Sequence, residues 1–352
     1  MNIEVKTWGR TPDNKDIKLY TLTNANGIKV QLSDIGAGIV SIVTPDRYGH
    51  MEDIALGYQH PWDYYNDGPC AGKTPGRYAN RIANGRFKID DKEYQLELNT
   101  SDGKHHLHGG SIGFANQKWA SRLNGESVVF TYLSADGEAG YPAELLTKVY
   151  YTLNDENELN IRYCAYSSDT TIINLTNHTY FNLAGHDHGT VRDHEVYIDA
   201  DVITPVDEGL IPLGTYMPVS QTPFDMRDGL LLGDGLDMMA ECPQMQPAGG
   251  YDHNFVLTKG LAMGLAACVY HEESGRSMEV ITDQPAMQLY TACTTNISGG
   301  KGGAHYGKYS GFCLETQHCP DDPNNPQFPG TTVLRPGEKY DTTTIYAFRV
   351  DE

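Results

Sequence analysis

The sequence predicts an all-β protein folded as one large antiparallel β-sandwich. Three observations carry that expectation. Short apolar runs alternate with polar residues along almost the whole chain, the period-two signature of half-buried strands. Dipeptides that tolerate positive φ separate the runs: Asn26-Gly27, Asn84-Gly85, Asn124-Gly125, Asp136-Gly137 and Ser274-Gly275. Helical periodicity is not sustained over the roughly 12 residues a packed helix needs. Many short strands at close spacing specify a sandwich or barrel.

Taken in order, Ile28, Val30 and Leu32 alternate with Lys29 and Gln31 as a first strand. The 60–66 stretch can form one short helical turn. Strands are then expected over Phe87 to Ile89, Tyr94 to Leu98, Val128 to Leu133, Leu145 to Leu153, Leu159 to Tyr166 and Ile172 to Leu183. After Asp225 to Gly250, a Gly- and Met-rich stretch that reads as a long irregular excursion, strands follow over Leu265 to Tyr270, Met278 to Ile281, Met287 to Thr291 and Thr342 to Val350. With no repeat, low-complexity tract or Ser/Gly linker, residues 1–352 read as a single domain.

Composition narrows the function. The 352 residues carry 26 Lys and Arg against 46 Asp and Glu, a net charge of −20. Such a chain repels the phosphate backbone and anionic lipid, so neither nucleic acid nor a membrane surface is an expected partner. A chain this long buries about three quarters of its unfolded surface and needs no disulfide or metal to hold a core. The 23 Tyr and many β-branched residues speak against disorder. Seven cysteines, at 70, 164, 242, 268, 293, 313 and 319, are odd in number, scattered and without a C-x-x-C, which reads as free thiols in a reducing compartment. Met1 to Lys6 has no basic segment leading into an apolar run, and nothing approaches the ~20 apolar residues of a membrane span. A cytoplasmic protein is the expectation.

Several apparent motifs fail on physical grounds. Gly36-Ala37-Gly38 lacks the third glycine of a dinucleotide fingerprint. Gly72-Lys73-Thr74 resembles the end of a phosphate loop, but Gly68 lies one residue too close and Pro75 stands where a helix should propagate. His105-His106-Leu107-His108 and His186-Asp187-His188 lack a further ligand set at recognisable spacing, so no metal is expected. The sequons at Asn99, Asn174, Asn177 and Asn296 matter only in a secreted protein.

Chemistry concentrates elsewhere. In a strand through 174–183, Thr176, His178, Tyr180 and Asn182 share one face. A polar and aromatic face suits a sugar, which offers hydroxyls at its edge and C–H groups on its flat side. In 311–317, Cys313, Glu315 and Gln317 share a face opposite Phe312, Leu314 and Thr316. A carboxylate buried without partners in an apolar strand costs several kcal/mol, so Glu315 requires either an Arg partner or a function. A carboxylate together with an imidazole is what opening a hemiacetal ring requires: a base at the C1 hydroxyl and an acid at the ring oxygen.

Six segments carry these residues: Gly76-Arg77-Tyr78-Ala79-Asn80-Arg81-Ile82; Leu107-His108-Gly109-Gly110; Asn174-Leu175-Thr176-Asn177-His178-Thr179-Tyr180-Phe181-Asn182-Leu183-Ala184-Gly185; Tyr251-Asp252-His253-Asn254-Phe255; Gln284 to Thr291; and Phe312-Cys313-Leu314-Glu315-Thr316-Gln317. In these, in order from about Ile28 to Phe348, the chain resembles the aldose 1-epimerase family, the galactose mutarotases. The resemblance implies a galactose mutarotase-like supersandwich with an open carbohydrate cleft. It implies interconversion of the α and β anomers of free hexoses such as galactose and glucose, by acid/base ring opening and closure without a cofactor. Glu315 is then the base and His178 the acid. Asn80, Arg81, His108 and Asp252 match sugar-contacting positions, and Gln288 and Tyr180 are further candidates; Arg77 either joins them or pairs with a nearby acid. The partner is a monosaccharide, and the chain acts as a monomer or homodimer. The competing readings are a non-catalytic carbohydrate-binding sandwich, a glycoside hydrolase or lyase of related fold, which needs two carboxylates flanking the bond, and a hexose-6-phosphate epimerase, which needs an Arg cluster.

Overall fold

The computed structural model describes residues 1–65 and 67–351. Three antiparallel sheets dominate it. The first has five strands in chain order: Asn2–Arg10, Asp16–Thr23, Lys29–Ser33, Gly38–Pro45 and Met51–Asp53. The second has nine, running Ala120–Asn124, Ser127–Ser134, Leu145–Leu153, Glu158–Ser167, Tyr340–Val350, Arg276–Thr282, Gly264–His271, His194–Ile198 and Leu230–Leu231. The third has five: Met217–Pro218, Ala200–Thr204, Asp252–Leu257, Ala286–Tyr290 and Cys313–Gln317.

Alternation builds the large sheet. Along Leu145–Leu153 every second residue is fully buried and the rest are half-exposed; Arg276–Thr282 repeats the pattern. The inward residues join one apolar cluster that draws on all three sheets, with Leu22, Val30 and Ile42 from the first, Phe130, Val149, Ile161 and Val280 from the second, and Phe255, Met287, Leu289 and Leu314 from the third. Burial of each such side chain stabilises the fold by about 1.5–3 kcal/mol. Cys313–Gln317 differs: all five residues are buried, because one face meets this core and the other meets the floor of a cleft.

Several sequence expectations change. The strand expected over Ile172 to Leu183 is paired as a strand only at Thr171–Ile172. Beyond it the chain threads through the interior and gives its amides to separate partners: Asn174 N–H to Arg77 O, His178 N–H to Lys73 O, Phe181 N–H to Phe312 O and Asn182 N–H to Ile54 O. Residues 171–183 are buried almost without exception, so no solvent face exists for a period of two to mark. The strand expected over Tyr94 to Leu98 lies at Lys92–Gln95. The excursion Asp225 to Gly250 contains a short helix, Leu232–Asp237, that buries Leu232 and Leu236. The turn expected over 60–66 is a 3-10 turn at Pro61–Tyr64, and Asn66 lies outside the described residues. No helix among the described residues is long and apolar enough to cross a membrane.

Gly72-Lys73-Thr74 has a structural role. Lys73 is fully buried and paired with Asp67; its ammonium also donates to Tyr64 O at 2.6 Å and Asn116 Oδ1 at 3.1 Å. The neighbouring backbone carries His178 between Gly72 and Lys73. Removing one partner of a buried pair leaves an uncompensated charge. Asp67→Ala is therefore expected to lower stability by about 3–5 kcal/mol, read as a fall in Tm by calorimetry; an unchanged Tm would refute the role given to this pair.

Candidate active site

A cleft of about 660 Å³ opens over the third sheet, and its lining includes Asn80, Arg81, His108, His178, Tyr180, Asp252, Tyr290 and Glu315. Seven of the eight expected site residues therefore meet in one place. The eighth, Gln288, is buried beside it and donates from Nε2 to Asp252 Oδ1 at 2.6 Å, which makes it a support for Asp252.

Sheet register sets the floor. Asn254, Gln288 and Glu315 lie opposite one another on adjacent strands, so the three side chains form a row on one face. Asp252, two residues before Asn254, falls in the next row with Tyr290 and Cys313. Arg81 Nη2 stands 3.7 Å from Asp252 Oδ2.

Loops supply the opposite wall. Asn80 and His108 both adopt left-handed backbone, with φ of 62° and 52°, a conformation that Asn and His tolerate better than most residues. They are clipped together: His108 N–H donates to Asn80 O at 3.1 Å, and Asn80 N–H donates to His108 Nδ1 at 3.2 Å. Gly109 follows at φ 85°, and a Cβ there would collide with Gly76 O. The His-rich run thus divides. His106 is buried against Tyr141 OH at 2.6 Å and Glu97 O at 2.7 Å, His105 accepts from Asn84 N–H, and only His108 enters the cleft. His186 and His188 lie elsewhere, on Tyr306 and Glu52.

At the centre, His178 Nε2 approaches Glu315 Oε1 at 3.5 Å, with both side chains all but fully buried. The ring of His178 meets His108 edge-on at 5.2 Å between centroids and lies 5.0 Å from Tyr180. Its Nδ1 is 3.5 Å from Cys313 Sγ. Burial pushes the Glu315 carboxyl well above its usual range, and the nearby Asp252 charge adds to this while Arg81 opposes it. Burial also lowers His178 to about 4, against the pull of Asp252. Both groups are driven toward their neutral forms by loss of water.

His108, His178 and Glu315 each bring one donor atom within 4.8 Å of the others, the approximate make-up of a metal site. His108 does not fit that role. Its Nδ1 lone pair is taken by Asn80 N–H, which leaves the ring proton on Nε2 and no nitrogen free for an ion.

Arg77 is not part of the cleft. It is buried and donates to Pro142 O, Ala143 O, Thr171 Oγ1 and Ser134 Oγ at 2.6–3.1 Å, which ties three segments together. Thr176 and Asn182, expected beside His178 and Tyr180, are buried outside the lining, because the segment is not a regular strand. Tyr290 was missed, although it lies two residues after Gln288 on the same face. The lip residues 100–102, 208–210, 247–248 and 294–296 carry no motif.

A polar cleft with a buried carboxylate and imidazole at its floor, set over one of three antiparallel sheets, has the form of an active site in a β-sandwich enzyme. The aldose 1-epimerase family model matches residues 18–347. The chain is 45% identical to galactose mutarotase of Homo sapiens over 324 residues, 92% of each protein, and 36% identical to aldose 1-epimerase of Escherichia coli K12 over 340 residues, 96% of each. The crystal structure of an aldose epimerase homologue from C. elegans superposes with a TM-score of 0.87 at 31% identity, over 95% of this chain and 99% of that one. The chain belongs to the aldose 1-epimerase family.

Burying Glu315 has a cost that depends on pH. Its folded-state proton affinity exceeds the unfolded one, so the folded state is favoured below the unfolded pKa near 4.3 and loses stability as pH rises toward the folded value. Glu315→Gln removes this loss. The variant is expected to gain thermal stability over the parent as pH rises above the unfolded value, with the gap widening by up to about 1.4 kcal/mol per pH unit until the folded-state group ionises. Paired melts across that range check the sign; a gap that narrows with rising pH would be incompatible with it.

Proposed function

We propose that the cleft opens and recloses the pyranose ring of a bound hexose between Glu315 and His178. The activity is that of an aldose 1-epimerase, exchanging α and β anomers of free hexoses such as galactose and glucose. The observation that carries the residue assignment is the 3.5 Å approach of His178 to Glu315 at the cleft floor. The C1 hydroxyl and the ring oxygen are bonded to the same carbon, so two groups this close can reach both.

Glu315 as carboxylate takes the C1 hydroxyl proton while His178 as imidazolium protonates the ring oxygen. The C1–O5 bond breaks and leaves a free aldehyde, a protonated Glu315 and a neutral His178. Rotation about C1–C2 presents the other carbonyl face. His178 then takes back the O5 proton as O5 attacks C1, and Glu315 returns its proton to O1. The pair holds one proton between the two chemical steps and one again at the end, so the cycle needs no outside acid or base. His108, Asn80, Arg81 and Asp252 are proposed to hold the hydroxyls, with Tyr180 against a ring face. Gln288 fixes Asp252.

A neutral sugar is supported by the lining, which offers Arg81 as its lone guanidinium and no Lys against Asp102, Glu208, Asp252 and Glu315; a sugar phosphate would meet mainly repulsion. The seven cysteines are unpaired, which supports the cytoplasm as location. The chain is proposed to act as a monomer or homodimer, and the core shared by three sheets supports one domain over 1–352.

Polarimetry tests the roles. Fresh α-galactose should reach its equilibrium rotation faster with protein present, with no new product on chromatography. Glu315→Gln and His178→Asn should each lower kcat by about 10²–10⁴; retention of full rate by both would end the assignment. Asp252→Ala is expected to raise KM and lower kcat together, because a contact that binds also orients. The one-proton pair gives kcat/KM a bell shape. Its acid limb lies near pH 4, where His178 titrates, and its alkaline limb lies above the usual carboxylate range, where the Glu315 proton is lost. A profile with only one limb, after subtraction of spontaneous mutarotation, would contradict a shared proton.

A further inference from the structure

Beneath Glu315 the interior holds a concentration of polar atoms without hydrogen-bond partners among the described residues. Glu315 Oε2 is one. Gln317 is fully buried, and both its amide oxygen and its amide nitrogen lack partners. Gln288 Oε1, Asn254 Oδ1 and Thr176 Oγ1 are in the same condition. The sheet register sets several of these residues side by side. Asn254, Gln288 and Glu315 occupy one cross-strand row. Gln317 is two residues beyond Glu315 on the same face and lies opposite Ala286, whose methyl carries no polar atom to pair with the amide. Thr176 is carried over this patch, because Asn174 exchanges two hydrogen bonds with His318 and His178 touches Glu315 and Cys313.

Buried amides and carboxylates are almost always paired, with protein or with ordered water. A buried water typically holds two to four such partners, and this patch offers both donors and acceptors. We infer that an ordered water site lies beside Glu315, its water accepting from Gln317 Nε2 and the Thr176 hydroxyl and donating to Glu315 Oε2 and Gln288 Oε1. Gln317 is thereby a positioning residue: it acts on the base through the water and does not touch the sugar. The inference rests on Glu315 being the base.

The site answers a need of the mechanism. With cyclic sugar bound, Glu315 must be a carboxylate, yet its one charged contact among the described residues is His178 at Oε1. Donors at Oε2 favour the ionised form. The other ionisable groups around Glu315 are Asp252 and Tyr290 on the neighbouring strands, Arg81 and His108 across the cleft, Cys313 on its own strand, Tyr180 and Cys70 at the side, and Tyr346 from the core. Among these, the one cation is Arg81, whose nearer carboxylate is Asp252.

Gln317→Leu removes both amide atoms at similar volume. In the full-length enzyme, kcat/KM for galactose should fall about tenfold, with KM within about twofold, and the alkaline limb of the pH profile should rise by about one unit, since losing a donor to the carboxylate strengthens its hold on the proton. The acid limb, set by His178, should stay in place. A fall in rate with both limbs unmoved would mean a packing role and would overturn the inference. Should the variant not fold, a crystal structure of the parent at a resolution that shows ordered water decides: a water within hydrogen-bond distance of both Gln317 and Glu315 Oε2 supports the site, and an amide satisfied by protein alone overturns it. That readout is independent of activity, so loss of the base assignment through an active Glu315→Gln would be told apart from loss of the water site.

Discussion

Taking a carboxylate and an imidazole out of water, 3.5 Å apart, is the constraint around which this molecule is organised. Neither group tolerates charge well in that position, and each moves toward neutrality. Isolated, a buried carboxylate costs several kcal/mol. That cost is met by a strand buried on both faces: Leu314 enters the apolar core, Thr316 reaches Thr344 Oγ1 at 2.5 Å, and Glu315 is left on the cleft side. The stability of the sandwich thus carries a destabilising pair at a fixed place.

Rigid and irregular parts divide the labour. The third sheet places Asp252, Gln288 and Glu315 by register, where a one-residue slip would turn them to the wrong face. His178 is placed differently, through single hydrogen bonds to Lys73 and Gly72, and those residues are held by the buried Lys73–Asp67 pair. Asn80 and His108 reach the cleft from backbone in sparsely populated conformations, which cost of order 1–3 kcal/mol each and persist because the two residues brace each other. The proposed acid, base and hydroxyl-binding groups therefore come from three kinds of backbone, and precise relative placement depends on the packing between them.

Much of this was legible in the sequence. Glu315 stood out because alternation put a carboxylate among apolar neighbours, and the six motifs led to seven cleft residues. The failures share a cause. Periodicity reports a boundary between core and water, and 171–183 has no such boundary because it is buried all round; a segment with polar side chains at alternate positions then looked like a strand. The same blindness hid the strands Asn2–Arg10 and Gly38–Pro45, the first largely exposed and the second largely buried. Arg77 and Lys73 sat in chemically suggestive motifs but proved to be buried staples, a distinction set by three-dimensional partners that no local pattern encodes. The cleft lip came from four separate loops and left no common signal.

The neutral bias of the buried pair also bears on how the reaction is balanced. In the proposed cycle the enzyme alternates between carboxylate with imidazolium, matched to the cyclic sugar, and carboxylic acid with imidazole, matched to the open aldehyde. Both hold one proton, so exchange between them moves charge over only a few ångströms. In water the charged form would be strongly preferred, by the roughly two-unit gap between a carboxyl and an imidazole pKa, and the open-chain state would be correspondingly disfavoured on the protein side. Burial moves the carboxyl up and the imidazole down, which stabilises the neutral form relative to the charged one. The environment that costs the fold stability thereby lowers the free energy of the intermediate that the reaction must pass through. Donors around Glu315 set how far that bias goes, since too strong a preference for the acid would leave no base to begin the cycle.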